Sequence, residues 1–436
     1  MNILITNHSL SVPAGSEWVV IELAMALTRL GHRVAAASTD LGEVAGLMRE
    51  VGIPVLSSSQ DVPFCPDVIH GQHHLSTMEA LCAWPDVPAL YHCHGYVPWV
   101  ETPPRHPRIL RYLAMCEVLA ERLRISLGCA VEEVLVMPNW VDLERFHLQR
   151  ELSEKPKRAL VFNRSLAVNS WFGKQIRDGF AMHGVELHWG IPSEMRVRPE
   201  IVLPDYDIVL ASGRSALEAM ACGCSVMPVS ASTGAGLVLE SNFDRLSAQN
   251  FSPMRTDPWV TSRQISEWID GYHISSAMAV SARVRDEHSL SGAAAKLVRT
   301  YACIAASWES DGSNLVRDSA RESRALSVYI RSISPQIREY QSLLNLRHET
   351  AALDKALHAQ AQQIDLLSKQ INDLRLLSVR NQELETSITQ LKRKLRRRAR
   401  KVESIRVRAR RCWRPRAWAA RLGKLIRGFL AVRTVR

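Results

Sequence analysis

The stretch ASGRSALEAMACGCSV, Ala211 to Val226, joins a small-residue turn to a helix with one carboxylate among apolar neighbours. Each polar residue there has a chemistry to offer. Gly213 lets the backbone approach a ligand closely, and a helix opening at Arg214 or Ser215 points N–H groups at an anion. Arg214 adds a fixed charge, and Arg164, from the earlier NRS segment, can clamp a phosphate with two parallel hydrogen bonds. The carboxylate of Glu218 can accept two hydroxyls at once, as a ribose would present them. A purely local reading also fits, because Ser215 and Glu218 have the S-x-x-E spacing of a capping box.

Histidines make a second group. His70, His73 and His74 follow one predicted strand, and His92 and His94 follow the next, so the strand order brings five imidazoles to neighbouring loops. No carboxylate spacing supports a metal site among them, and none is expected. Gly15, Ser16 and Glu17 open a helix beside the first strand, where Glu17 complements the helix dipole.

These residues need elements to hold them. From residue 1 to about 150, short apolar runs alternate with amphipathic stretches: NILIT, HRVAAAS, IPVLSS, PDVIHGQ and PALYHCHG as strands, GSEWVVIELAMALTRLG and EVAGLMREVG as helices. That alternation specifies a parallel sheet with helices on both faces, whose ligands bind beyond the carboxyl ends of the strands. The charged segment QRELSEKPKR leads to a second such block over residues 151–310, containing ALVFNRS, VELHWG, YDIVLAS and CSVMPVS. Two α/β blocks joined by a short linker leave a cleft between them.

Beyond residue 310 the composition changes. Between about 337 and 412 there is no Pro or Gly, and Leu353, Leu357, Ile364, Leu367, Ile371 and Leu374 fall at heptad spacing. The register slips by three and resumes with Leu377, Leu384, Ile388, Leu391, Leu395, Val402 and Ile405, which reads as a coiled coil with one stammer. A long helix folded back on the body is the competing reading. The division is thus 1–150, 151–310, a helical region over 311–400 and a basic tail over 401–436.

The net charge of +11 belongs to that tail. Residues 392–436 hold 19 Lys and Arg against Glu403 alone, leaving 36 bases and 43 acids elsewhere. The body therefore has no field that would draw nucleic acid. In the tail, Trp418, Leu422, Leu425, Phe429 and Val432 share one helical face while Arg421, Lys424 and Arg427 lie on another. That segregation suits a helix lying in the plane of an anionic membrane; nucleic-acid binding is the rival reading of the tail. No run is long enough to span a bilayer. The nine cysteines lack paired or metal-binding spacing and read as reduced thiols of a cytoplasmic protein.

Three segments resemble a known family. GSEWVVIELAMALTRLGHRVAAAST is similar to the first helix and second strand of GT-B-fold, retaining-type nucleotide-sugar glycosyltransferases. VMPNWVDLERF resembles that family's interdomain signature, and SALEAMACGCSVMPVS its donor-site helix. The likeness covers residues 1 to about 305. It implies two Rossmann-like domains facing a cleft, with the acceptor on the first and the donor on the second. It further implies Arg164, Gly213, Arg214, Ser215 and Glu218 as donor-binding residues, and His94 as the catalytic-site contact to the reacting sugar. It implies no cofactor beyond the nucleotide-sugar substrate. The sequence departs from the family in three places. Leu210 stands where a second glutamate is usual, Trp140 replaces the linker glycine, and NRSLAVNSWFGK replaces a G-R-x-x-x-x-K-G segment.

The whole reads as a hexosyltransferase-like enzyme, cytoplasmic and peripheral at the inner membrane face. Its acceptor would be a cell-surface polysaccharide or a lipid-linked glycan, and its coiled coil would make it a homo-oligomer. The alternatives are a catalytically inactive GT-B module serving as a coiled-coil assembly platform, or a sugar-nucleotide epimerase or hydrolase on the same fold.

Overall fold

The computed structural model describes residues 1–13, 15–95, 99–148, 153–191, 198–253, 260–311, 319–374 and 381–412. The chain divides into a compact unit, Met1–Leu326, and a second unit beginning at Ser327.

The first unit opens with β1 (Asn2–Thr6), α1 (Gly15–Arg29), β2 (Arg33–Ala37), α2 (Glu43–Glu50) and β3 (Val55–Leu56). It continues through β4 (Val68–Gln72), α3 (His74–Ala83), β5 (Ala89–Cys93), β6 (Ile109–Ala114), α4 (Glu117–Leu127) and β7 (Val134–Val136). The seven strands form one parallel sheet in the order β3-β2-β1-β4-β5-β6-β7. Strand β1 is apolar on both faces because helices cover both, and Ile3, Leu4 and Ile5 are fully buried. Helix α1 buries Val20, Leu23, Ala24 and Leu27 in the same core. Gly31, at φ 84°, takes the left-handed turn that ends it, and His32 N–H returns to the Leu27 carbonyl.

The second block contains β8 (Arg158–Val161), α5 (Trp171–Ala181), β9 (Glu186–Trp189), α6 (Pro199–Val202), β10 (Ile208–Ala211), α7 (Arg214–Ala221) and β11 (Ser225–Pro228). After these come α8 (Phe243–Ser247), α9 (Ser262–Asp270), α10 (Ile274–Glu287) and α11 (Leu290–Asp311). Its parallel sheet runs β11-β10-β8-β9. The chain crosses back to the first block through α11, whose Leu297, Tyr301 and Ile304 join the core around β1. The two crossings are tied together: Val141 N–H bonds the His288 carbonyl and Leu290 N–H bonds that of Val141. Trp140 is the large residue where the family signature has glycine. It is buried in the first sheet's core, a use a glycine could not serve.

In the second unit, helix α12 (Ser319–Leu374) begins within the first unit and carries Pro335, and α13 (Asn381–Cys412) follows. The register slip expected after Leu374 lies outside the described residues. Arg406 of α13 bonds Asp354 of α12 at 2.7 Å, so the two helices are joined within one chain. Ile388, Val402 and Ile405 are buried, while Leu353, Leu357, Ile364, Leu367, Leu391 and Leu395 stay half-buried. Leu377 lies outside the described residues, as does the whole amphipathic segment from Trp418 to Val432, and the side chains of Ile371, Leu374 and Leu384 are not described. Helix α13 runs unbroken past residue 401. Among the described residues, no helix is long and apolar enough to cross a membrane.

Candidate functional site

Each sheet has one place where neighbouring strands send their connections to opposite sides, and ligands of open parallel sheets bind there. In the second sheet it lies between β8 and β10, and in the first between β1 and β4. The residues singled out from sequence gather at these two points.

At the second sheet, β8 runs into Asn163, Arg164 and Ser165, and β10 into Ser212, Gly213 and Arg214. Asn163 ties the two ends together through Nδ2, which donates to Ser212 Oγ at 3.2 Å and to the Val229 carbonyl at 2.9 Å. Arg164 is exposed beside this bridge. Gly213 adopts φ 59°, ψ −133°, a backbone that needs glycine, and a β-carbon there would stand 3.2 Å from Asn250 Nδ2. Gly213 is itself the N-cap of α7 and no side chain caps the helix. The Ser215–Glu218 capping box is therefore absent, because α7 starts two residues too early for Ser215 to be its cap.

Glu218 is instead paired along the helix. Its Oε1 accepts from Arg214 Nε at 2.7 Å, the i to i+4 spacing that puts both on one face. The other end of the guanidinium, Nη2, bonds Glu22 Oε1 from α1 in the first block. Arg145, from the interdomain signature, continues the network to Glu22 at 3.5 Å and to Glu200 at 2.7 Å. Its guanidinium lies 4.6 Å over the Trp18 ring. Three carboxylates thus share two guanidiniums in a nearly closed space. Burial raises the Glu218 carboxyl above the usual carboxylate range, against the pull of Arg214. Burial also disfavours the Arg214 charge, but Glu22 and Glu218 outweigh it and hold the guanidinium protonated. Glu22 Oε2 and Arg214 Nη1 are buried without partners among the described residues, an acceptor and a donor left over in the same network.

At the first sheet, β1 leads to Asn7 and His8, β4 to His73 and β5 to His94. His73 is the N-cap of α3, at φ 59°, ψ 134°, a conformation rare for a residue with a side chain. Such backbone costs on the order of 1–3 kcal/mol and persists where surrounding bonds enforce it. Here Asn7 Oδ1 stands 2.6 Å from His73 Nδ1, and Thr77 Oγ1 donates to the His73 carbonyl at 2.9 Å. Glu101 faces the group: its Oε1 is 3.5 Å from His73 Nε2 and its Oε2 accepts the His94 N–H at 3.0 Å. His94 keeps some exposed surface, but its ring lies deep among protein atoms, with Nε2 2.9 Å from Gln72 Oε1 and its ring centre 4.1 Å from that of His92. His70 bonds the Tyr301 hydroxyl at 2.6 Å.

Burial sets the titration of this group. It pushes His70 down to about 3 and His8 and His74 to about 4, with neighbouring imidazoles adding to it. His92 and His94 fall well below the ordinary value for the same reasons. Glu101 is the exception. Burial opposes its charge, but the His73 hydrogen bond and the field of His94 bring its carboxyl below the usual range. Among the described residues, no three His, Cys, Asp or Glu side chains converge on a point that could hold a metal ion.

The structure brings Arg164, Gly213, Arg214, Ser215 and Glu218 to one sheet end and His94 to the other. It adds residues the sequence reading passed over: Glu22, Arg145 and Glu200 in the charge network, and His8, Asn7 and Glu101 beside the imidazoles. Glu22 carried a legible signal, since a lone carboxylate inside VVIELAMAL is the same oddity as Glu218 inside SALEAMA.

No family model matches the sequence, and no curated protein matches it. Solved structures similar to the chain include a glycosyltransferase from Rickettsia africae, with 15% identity, 70% of this chain and 98% of that one covered, and a TM-score of 0.48. A lipopolysaccharide outer core galactosyltransferase covers 71% of this chain and 98% of its own at 14% identity and TM-score 0.41. A UDP-N-acetylglucosamine 2-epimerase from Listeria monocytogenes covers 68% and 94% at 9% identity and TM-score 0.42.

Proposed function

We propose that the chain is a glycosyltransferase that moves a sugar from a nucleotide-sugar donor to a cell-surface polysaccharide or lipid-linked acceptor. One observation supports this most: the switch point of the second sheet combines a glycine-only turn, the start of α7 and an exposed Arg164 on adjoining strand ends. Backbone N–H groups and Arg164 would hold the diphosphate, and Arg214 would trade its bond to Glu22 for a phosphate oxygen. Glu218 would take the ribose hydroxyls and His94 would meet the sugar. Retention at the anomeric carbon follows from the family resemblance. The half-buried heptad stripe of α12 and α13 would join copies of the chain, and the basic tail would hold it on anionic membrane from the cytoplasmic side.

A second reading has its own support. Leu210 is fully buried on β10 where the family carries a second glutamate, and Arg214 is already neutralised by two carboxylates. An inactive module used for assembly would look the same. Thermal shift with UDP, GDP, ADP and TDP, followed by product analysis with the matching sugar nucleotides, separates the cases. The transferase requires stabilisation by one nucleotide and transfer to an acceptor. Stabilisation with epimerised or hydrolysed sugar indicates the epimerase or hydrolase, and no stabilisation by any of the four refutes the donor site.

A further inference from the structure

Helix α12 carries an apolar stripe outside the heptad positions that begin at Leu353. Ile330, Ile333, Ile337, Tyr340 and Leu344 recur at intervals of three, four, three and four, the spacing of a coiled-coil seam. Ile333 is buried, but Ile330 is 52% exposed and Ile337 46%. One exposed isoleucine is ordinary, whereas a row of them on one helix face is a surface for another element. The positions beside the seam include Ser334, Gln336, Gln341 and Leu343, all uncharged, and Arg331 and Arg338 fall away from it around the helix.

The path of α13 says what can reach this seam. Arg406 is 25 residues into α13 and meets Asp354, 20 residues before the end of α12, so the two helices run antiparallel. At that register Cys412, where α13 ends, falls opposite about residue 348, short of the stripe. The 24 residues that follow are enough chain to continue opposite about 324–347. Among them Trp418, Leu422, Leu425, Phe429 and Val432 recur at four, three, four and three. Taken in reverse, as an antiparallel partner meets it, that is the order on α12. It sets Val432 against Ile330, Phe429 against Ile333, Leu425 against Ile337, Leu422 against Tyr340 and Trp418 against Leu344. This alignment is within two residues of the register fixed by Arg406 and Asp354. Gly423 and Gly428 make the segment a poor helix by itself, so it needs a surface to fold on.

We propose that residues 418–432 fold back on α12 of the same chain, antiparallel along Ile330–Leu344, and that α12 and the membrane compete for this one apolar face. The competition rests on the membrane reading of the tail given above; the packing does not. Away from a membrane the two seams cover each other. At an anionic surface, Trp418, Leu422, Leu425 and Phe429 leave α12 for the lipid interface. Lys424 and Arg427 lie away from the seam, so the contact with α12 hides the anchor without hiding the charge that draws it to the surface. A second copy of the chain is the rival occupant. The tail has the advantage of being tethered beside the seam, which gives it a high effective concentration there.

Photo-crosslinking of the full chain identifies the occupant. Unlabelled protein carrying Ile337→p-benzoylphenylalanine is mixed with nitrogen-15-labelled wild type and irradiated. The expected product joins position 337 to residues 418–432, with both peptides unlabelled because both come from one chain. A product containing a labelled peptide makes the seam an interface between copies and overturns the proposal. So does the absence of any cross-link to residues 418–432. Vesicles of phosphatidylcholine and phosphatidylserine should then lower the yield in step with the fraction of chain bound, and bound chain that keeps the full yield overturns the competition. Ile330→Ser with Ile337→Ser, both on exposed positions, should tighten vesicle binding at least about threefold, the effect of releasing a tail that is closed in two thirds or more of the chains. Unchanged or weaker binding overturns the competition as well. If neither wild type nor this variant binds the vesicles, the membrane reading fails and takes the competition with it, while the cross-link still decides the packing.

Discussion

Acid should open this fold, and the proton count says how steeply. His70, His8, His74 and His106 are held at about 3, 4, 4 and 4 by burial, and His92 and His94 lie well below their ordinary value. In the unfolded chain each titrates near 6.5. These are bases with depressed values in the fold, so the stability they allow is complete above pH 6.5. It is lost as pH falls from there toward 4, because the unfolded chain binds protons that the fold refuses. At pH 5 the six together give an uptake of about five protons on unfolding. Glu218 works the other way. Its raised value lets the fold keep a proton that the unfolded chain releases, so it can subtract up to about one. His70, fully buried beside Tyr301, by itself costs about 2 kcal/mol at pH 5, from roughly 1.5 pH units below its unfolded value. Against a typical stability of about 5–15 kcal/mol, a few such terms decide the outcome. Urea unfolding in weakly buffered solution at pH 5, with a pH-stat reading the uptake, measures the count directly without needing a two-state transition. His70→Gln should lower the uptake by about one. An uptake of one or two protons in the wild type would show that these imidazoles are hydrated or charged in the fold, and the description of a dry, neutral cluster would be wrong.

Two substitutions probe the other sheet end. Gly213→Ala must hold φ 59°, ψ −133° with a β-carbon 3.2 Å from Asn250, so it should cost about 1–3 kcal/mol and weaken nucleotide binding. Gly15→Ala, with nothing within 4 Å, should leave the melting temperature unchanged or raise it, and equal effects at the two sites would discount the turn. Glu22→Gln leaves Arg214 with Glu218 alone and Arg145 with Glu200, and breaking a buried pair of this kind costs about 3–5 kcal/mol. A melting temperature within a degree of wild type would mean that the Arg214–Glu22 bond does not hold the two blocks together in solution.

The parts of this molecule that local chemistry determines could be read from the sequence. Continuous apolar runs such as NILIT and YDIVLA announced parallel strands, since burial on both faces leaves no polar alternation to read. Gly31 ended α1 as a left-handed turn requires. The parallel alternation also put the singled-out residues beyond the carboxyl ends of the strands, which is where both groups gather. What the sequence concealed were partners supplied from far along the chain. Glu218 was legible as an oddity, but its bond to Arg214 depends on where α7 starts, and that depends on Gly213 acting as the cap. Whether Ser215 or Gly213 opens the helix is a difference of two residues, within the uncertainty of reading any helix end.

Glu22 is 192 residues from Arg214, and no spacing rule connects them. The same limit applies to Glu101. It follows a stretch without periodicity, yet it faces an imidazole placed by a different strand and helix. Both glutamates are buried acids whose charge is tolerable only because distant partners compensate it. A lone carboxylate in an apolar run is thus a signal that a partner exists without saying which, and Glu22 and Glu218 prove to be the two ends of one guanidinium. Substitution at either should be felt at the other. For that reason the proposed donor site at Gly213 and the first helix of the chain are to be tested as one surface, although the sequence places them in separate domains.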